Sequence, residues 1–245
     1  MATAEAADTM KLAGFQGTTL IDYPGRVATT LFAVGCNYRC PFCHNAELVL
    51  PDQVDGLDLL DPEDVIRQLA RRSGFLDAVV LTGGEPTLQP DLVVYIGRIR
   101  DLDLLVKLDT NGSDPSTLRA LLDLGVLDYV AVDIKGPPER YAEFGGPAAD
   151  PNAVAETISL LRRSDIDYEL RTTVAPGLAA ADIEEIASWI APAKRYVLQA
   201  FRVPGDEGKR LLDPSWAKRP ALEETEIRSA WEGVRDRFED GGVRA

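Results

Sequence analysis

The stretch Cys36-Asn37-Tyr38-Arg39-Cys40-Pro41-Phe42-Cys43 holds every cysteine of this 245-residue chain, in the spacing C-x3-C-x2-C. Three thiolates in one short loop can bind three irons of a cubic iron–sulfur cluster, whereas an ordinary electron-transfer cluster uses four cysteines. The fourth iron would keep an open position for a substrate or cofactor. The stretch therefore predicts a cluster that takes part in chemistry.

Zinc binding and disulfide bonding are the alternative interpretations of the three cysteines. A structural zinc site closes with four ligands, and His44 is the only histidine. Because His44 directly follows Cys43, the two side chains cannot easily reach one tetrahedral ion. An odd number of cysteines in a chain of this length disfavours a disulfide framework. The residues favour the cluster and leave the zinc hypothesis open, and we assign no role to His44.

Composition and charge restrict the class of protein. The chain is 45% hydrophobic, which is enough for one large core, and its net charge of −14 argues against gripping nucleic acid through phosphates. We find no apolar run that could cross a membrane, and the N-terminus lacks the features of a secretory signal. Clustered thiols predict a reducing cytoplasm. We expect a disordered extension at 1–9 and one domain at 10–245.

Short β-rich runs alternate with helical patterns along the rest of the chain. Alternation of this kind predicts a parallel sheet covered by helices. Candidate chemical residues follow several strand ends, which favours an α/β fold of the partial (β/α)6 TIM-like barrel type in a single domain over a doubly wound sheet. Strands are predicted at 27–34, 78–81, 104–108, 129–134, 168–174 and 196–201, and helices at 61–72, 91–100, 115–124, 152–163, 180–190 and 223–238.

Two short segments after strands carry groups that suit a charged ligand. Gly83 and Gly84 let the backbone approach a ligand closely, and Glu85 adds a carboxylate that can accept from an ammonium group. Asp133 and Lys135 alternate at a strand end, so their side chains point to one face. Taken alone, the first segment is a turn and the second a surface ion pair of little energetic value.

The cysteine spacing, with the aromatic Phe42 before the last cysteine, resembles the signature of the radical S-adenosylmethionine (SAM) enzymes. The segments 82–86, 109–112 and 133–135 resemble later motifs of that family and follow in the same order. The resemblance extends from about residue 14 to about residue 201. It implies that Cys36, Cys40 and Cys43 hold a [4Fe-4S] cluster at which SAM binds.

The resemblance also implies which residues contact SAM. Gly83, Gly84 and Glu85 would receive the methionine amino group, and Lys135 would meet the methionine carboxylate, as in glycyl-radical activating enzymes. Phe42 would lie near the adenine. The remaining SAM-binding candidates are Asp109, Asn111, Asp133, Arg171 and Gln199. For Asp109 and Asn111 the plain alternative is a β-turn around Asn-Gly.

The segments 18–25 (TTLIDYPG) and 40–45 (CPFCHN) resemble the activating proteins of anaerobic ribonucleoside-triphosphate reductases. That resemblance implies an oxidoreductase that cleaves SAM reductively and takes a hydrogen atom from a backbone glycine of a partner enzyme. Its implied partners are the reductase and a flavodoxin or ferredoxin as electron donor, with no role for nucleic acid or a membrane. The alternatives are a radical SAM enzyme acting on a small molecule, similar to the synthases of deazapurine biosynthesis, or a non-enzymatic metal-binding protein.

Overall fold

The computed structural model describes residues 10–205 and 211–244, so the extension expected at 1–9 lies outside the described residues. The chain forms two compact units, each built from separate stretches of sequence. The first unit comprises the described parts of Met1–Cys36, Leu48–Asp109 and Thr117–Tyr129. The second comprises the described parts of Asn37–Glu47, Thr110–Ser116 and Val130–Ala245.

The described strands belong to an eight-stranded sheet whose order follows the chain. The strands are β1 (Leu12–Thr19), β2 (Ala28–Ala33), β3 (Ala78–Gly83), β4 (Leu105–Thr110), β5 (Tyr129–Asp133), β6 (Asp167–Val174), β7 (Ala193–Ala200) and β8 (Phe238–Arg244). Strand β1 is antiparallel to β2, whereas the pairs β2–β3, β3–β4, β6–β7 and β7–β8 are parallel. The predicted α/β class with a mostly parallel sheet is confirmed.

Two of the described helices begin after an aspartate cap. Helix α3 follows Asp61, whose Oδ1 accepts the backbone N–H of Glu63 at 2.9 Å, and helix α7 follows Asp150, which accepts from the N–H of Asn152 at 2.9 Å. The described helices are α1 (Ala46–Val49), α2 (Pro51–Val54), α3 (Pro62–Arg72), α4 (Leu92–Arg100), α5 (Pro115–Asp123), α6 (Tyr141–Gly145), α7 (Pro151–Arg163), α8 (Ala180–Ile190) and α9 (Glu224–Val234). Within the described ranges, no helix is long and apolar enough to cross a membrane.

The six predicted strands correspond to β2 through β7, but β1 and β8 were not predicted. Strand β8 carries two glycines and three charged residues, so its sequence has no apolar alternation. It is a strand because it pairs with β7 over Ala193 to Gln199. The helix predicted at 223–238 was too long. Helix α9 ends at Val234, and strand β8 begins at Phe238.

Candidate functional site

Backbone hydrogen bonds hold the loop that contains Cys40 and Cys43. Arg39 donates its N–H to the carbonyl oxygen of Gly145 at 2.8 Å, and Cys43 donates to that of Cys40 at 3.0 Å. The carbonyl oxygen of Cys43 accepts from the N–H of Leu212 at 3.2 Å. All three cysteines of the chain are thiols rather than disulfides. The loop therefore has a defined backbone with thiols available as ligands.

Phe42 anchors the same loop in an aromatic cluster. Its side chain is buried, and its ring centre lies 5.9 Å from that of Trp216. Trp216 also meets the ring of Phe144 edge-on at 5.6 Å. Aromatic pairs at these separations stabilise by about 0.5–1.5 kcal/mol beyond the burial of their surface. This packing gives Phe42 a structural role, and its predicted position near an adenine stays a prediction.

Three of the predicted SAM-binding residues meet in one ionic cluster. Arg171 on β6 donates its Nε–H to Asp133 Oδ1 at 2.9 Å, and Lys135 Nζ donates to Asp133 Oδ2 at 3.2 Å. Burial alone would raise the pKa of Asp133, but the charges of Arg171 and Lys135 outweigh it and hold that pKa well below its usual range. One carboxylate thus orients two cations.

Lys135 also lies within electrostatic range of the cysteine loop. Burial acts to lower its pKa, but the charges of Asp133, Cys40 and Cys43 outweigh burial and raise it. The positive charge of Lys135 acts to lower the pKa of Cys43, and the thiolate is the form that binds metal. The structure therefore brings Lys135 together with two of the predicted cluster ligands.

The Cys43 thiol gives a pH dependence that can be measured. Burial raises its pKa above the ordinary value of 9.0, and the Asn45 backbone and Lys135 offset this only in part. In the iron-free protein, we expect the rate of Cys43 alkylation by iodoacetamide to reach half its maximum above pH 9. In urea the midpoint should fall to about 8.5. Mass spectrometry of the Cys43 peptide across the pH range measures both, and a lower midpoint in the folded protein would contradict the expectation.

Asn111 ties the segment after β4 to the cysteine loop. Its Nδ2 donates to Asn37 Oδ1 at 3.0 Å, and its Oδ1 accepts the N–H of Ser113 at 2.9 Å. Asn37 in turn donates to Ser113 Oγ at 2.8 Å. Asn111 therefore positions residues between the first two cysteines, and a direct contact with SAM stays a prediction.

The predicted amino-group segment lies against the backbone that precedes Cys36. Gly84 donates its N–H to the carbonyl oxygen of Ala33, and Glu85 donates to that of Gly35, both at 2.8 Å. Gly83 has a φ of 110°, which favours glycine. Glu85 is fully buried, and its Oε1 accepts from both the N–H and the hydroxyl of Thr87. The segment is a rigid turn that supports the start of the cysteine stretch.

Asp109 is paired with a buried lysine that the sequence analysis missed. Lys107 Nζ lies 2.8 Å from Asp109 Oδ1 and donates to the carbonyl oxygen of Asp22 at 2.6 Å. Its side chain is 1% exposed and lies over the ring of Tyr129. A lysine between Val106 and Leu108 in a strand, two residues before Asp109, was the signal that could have identified it.

Gln199 lines a cavity of about 460 Å³ together with His44 and Thr173. His44 donates from Nε2 to the backbone carbonyl oxygen of Arg202 at 2.6 Å, and its ring packs on Phe201 at 5.3 Å between centres. These contacts give His44, to which the sequence assigned no role, a part in packing this loop. Gln199 is placed beside the residue that follows the last cysteine.

The donor set fits the predicted cluster by its chemistry. Soft thiolates are the ligands that iron–sulfur clusters prefer, and the chain supplies three in one loop with Lys135 beside two of them. Across residues 10–205 and 211–244, no three His, Cys, Asp or Glu side chains are grouped to hold a single metal ion. In a cubic cluster each thiolate binds a different iron, so the thiolates need not converge on one point.

Comparison with known proteins identifies the family. The model of the radical SAM superfamily matches residues 30–190, well over half of the chain. The chain therefore belongs to the radical SAM superfamily. This membership confirms the predicted cofactors, a [4Fe-4S] cluster and SAM, and makes the chain a radical SAM enzyme.

Within this superfamily, the chain is similar to proteins named as activating enzymes. The chain is 33% identical over 223 residues to a Methanocaldococcus jannaschii protein provisionally named a glycyl-radical enzyme activating enzyme, covering 89% of this chain and 88% of that one. It is 32% identical over 127 residues to the pyruvate formate-lyase-activating enzyme of Clostridium pasteurianum, covering 48% and 51%. The predicted resemblance to activating enzymes is confirmed.

Among solved structures, SuiB of Streptococcus suis bound to S-adenosylmethionine superposes with a TM-score of 0.66 at 15% identity. The match covers 86% of this chain and 48% of SuiB, so the chain spans about half the length of that protein. At this identity the likeness shows the fold alone. It confirms the predicted partial-barrel class.

Proposed function

We propose that this chain is a radical SAM activating enzyme that abstracts a hydrogen atom from a backbone glycine of a partner enzyme. The single observation that carries the proposal is the similarity to the Methanocaldococcus jannaschii protein over nearly the full length of both chains. The partner we propose is an anaerobic ribonucleoside-triphosphate reductase, on the strength of the segments 18–25 and 40–45. We place the enzyme in the cytoplasm because its thiols must stay reduced. We propose a flavodoxin or ferredoxin as its electron donor, as the resemblance to activating enzymes implies.

The cysteine loop and the ionic cluster divide the work of binding the cofactors. Cys36, Cys40 and Cys43 would each ligate one iron of the cluster. Lys135, fixed by Asp133, would bind the methionine carboxylate of SAM through a charge-assisted hydrogen bond. When bound, the reduced cluster and SAM supply a 5′-deoxyadenosyl radical.

The other candidates would complete the binding of SAM. Gly83 and Gly84 would offer backbone groups, and Glu85 would help to receive the methionine amino group. Asn111 would position the loop through Asn37. The remaining proposed contacts are Phe42, Asp109, Arg171 and Gln199. We propose that these residues help to orient SAM, which is the protein's share of a cofactor reaction.

The proposal is tested by forming a glycyl radical in a purified partner. The enzyme is reconstituted with iron and sulfide under anaerobic conditions, reduced by flavodoxin or, in parallel, by ferredoxin, and mixed with SAM and the reductase. We expect a glycyl-radical EPR signal in the reductase and one 5′-deoxyadenosine per radical. With the partner's glycine deuterated, deuterium should appear in the 5′-deoxyadenosine.

The matched controls are the Cys40→Ala enzyme and a reductase whose radical-forming glycine is replaced by alanine. Neither mixture should give the signal. Cleavage of SAM that proceeds equally with the alanine-substituted reductase would contradict abstraction from that glycine.

A second candidate function is a reaction on a small molecule. A Pyrococcus abyssi protein assigned as a GTP 3′,8-cyclase is 38% identical over 120 residues, covering 47% of this chain and 37% of that protein. This similarity is confined to about half of the chain, and we therefore rank it second. GTP-dependent formation of 5′-deoxyadenosine in the absence of any protein partner would favour it.

A further inference from the structure

Glu169 on β6 is a buried carboxylate to which no role in binding SAM has been assigned. Its side chain is 1% exposed, and Arg244 on β8 donates to both of its oxygens, at 3.2 Å to Oε1 and 2.7 Å to Oε2. The Arg195 Nε atom lies 4.0 Å from Oε2, and the Arg171 Nη1 atom lies 3.8 Å from Oε1. A buried carboxylate needs compensation of this kind because an unpaired buried charge is costly.

Arg171 connects this carboxylate to the proposed SAM site. Glu169 and Arg171 are two residues apart on one strand, so both side chains point to the same face of β6. Arg171 is held on one side by Glu169 and on the other by Asp133, whose second oxygen accepts from Lys135. The side chains Arg244, Glu169, Arg171, Asp133 and Lys135 thus form a continuous row of alternating charges.

We propose that Glu169, fixed by Arg244 of the last strand, is a positioning residue that sets Arg171 and thereby the Asp133–Lys135 pair for binding SAM. The inference rests on the proposed role of Lys135 at the methionine carboxylate. Glu169 acts through Arg171 and need not touch SAM itself. Arg244, which was not among the predicted site residues, becomes part of the support for the site.

The position of Arg171 affects how Lys135 is oriented. Asp133 shares its two oxygens between Arg171 and Lys135, so any displacement of Arg171 changes the direction in which Lys135 is held. Without the charge of Glu169, the three guanidinium groups of Arg171, Arg195 and Arg244 would repel one another. Arg171 would then lose its defined position, and the ammonium group of Lys135 would be less well directed.

The test compares SAM affinity with stability in Glu169→Gln, which keeps the shape of the side chain and removes its charge. Isothermal titration of SAM into reconstituted, unreduced enzyme measures Kd without turnover. We expect Kd to rise about tenfold, equivalent to about 1.4 kcal/mol. The matched control is Glu184→Gln, which removes an exposed carboxylate paired with Arg237 in the same compact unit and should leave Kd unchanged.

A double-mutant cycle distinguishes positioning from a general loss of structure. If Glu169 acts through the ionic row, Glu169→Gln should weaken SAM binding far less in the Lys135→Met background than in the wild type. A structural role alone would lower Tm and leave the Kd of the folded protein unchanged. Equal effects in both backgrounds, or unchanged or tighter binding in the single variant, would overturn the proposal.

Arg244→Lys keeps the test decisive if Glu169→Gln does not fold. Lysine preserves the charge but gives up the two-point contact with the carboxylate, and we expect Kd to rise about threefold. An unchanged Kd would refute the role of Arg244. If Lys135→Met itself leaves Kd unchanged, the proposed role of Lys135 fails; if Lys135→Met weakens binding and the Glu169 and Arg244 variants do not, only the present inference fails.

Discussion

Replacing Cys40 by serine should abolish reductive cleavage of SAM. Serine is close to cysteine in size, but its oxygen is a hard donor and a poor ligand for an iron–sulfur cluster. We expect the rate of 5′-deoxyadenosine formation to fall more than about a thousandfold, equivalent to about 4 kcal/mol of transition-state stabilisation. The measurement is chromatographic detection of 5′-deoxyadenosine after anaerobic reconstitution and reduction.

Two further observations make the Cys40→Ser result specific. Circular dichroism of the iron-free protein should be unchanged, since Cys40 contributes a small side chain to the loop. The EPR signal of the reduced wild-type cluster should change when SAM is added, and the variant should show no such SAM-dependent change. Normal SAM cleavage by Cys40→Ser would exclude Cys40 as an essential ligand of the cluster.

Replacing Gly84 by alanine should destabilise the protein and disturb the start of the cysteine stretch. A Cβ at this position would lie 2.0 Å from the carbonyl oxygen and 2.7 Å from the carbonyl carbon of Gly35. Both are backbone atoms, which cannot rotate aside as a flexible side chain can. We expect the free energy of unfolding to fall by about 3 kcal/mol, the upper end of the usual cost of overpacking.

Urea denaturation of the iron-free protein measures this change as a lower midpoint at constant slope. Because Gly35 directly precedes Cys36, the variant should also bind less iron after reconstitution. The matched control is Gly97→Ala in helix α4, where an added Cβ meets no atom within 4 Å. That substitution should stabilise by about 0.5–1 kcal/mol. An unchanged midpoint for Gly84→Ala would show that the turn can open at little cost.

Local signals explain which elements could be predicted. Helices α3 and α7 carry an aspartate cap followed by proline, and their N-terminal ends are visible in the sequence alone. Strands β1 and β8 carry weaker signals, because they lie at the ends of the strand order and each pairs with a single neighbour. Strand β8 in particular depends on its pairing with β7 and on the contact of Arg244 with Glu169.

The sequence pointed to some residues of the candidate site and missed others. The cysteines stood out as thiols in a tight spacing, Asp133 and Lys135 as charges at a strand end, and Arg171 as a charge inside a predicted strand. Lys107 and Glu169 are likewise charges inside strands, but no motif pointed to them. Their distant partners, Asp22 for Lys107 and Arg244 for Glu169, become visible only in the folded chain.

The sequence by itself predicted the metal-binding chemistry, because the spacing of Cys36, Cys40 and Cys43 is a local property of one loop. It also indicated the alternation of strands and helices, since each element carries its own periodicity. Only the tertiary structure decided which charges meet. Arg171 and Asp133 are 38 residues apart, and Arg244 and Glu169 are 75 apart. Such pairs depend on strand order and register, which are decided when all the strands are buried together.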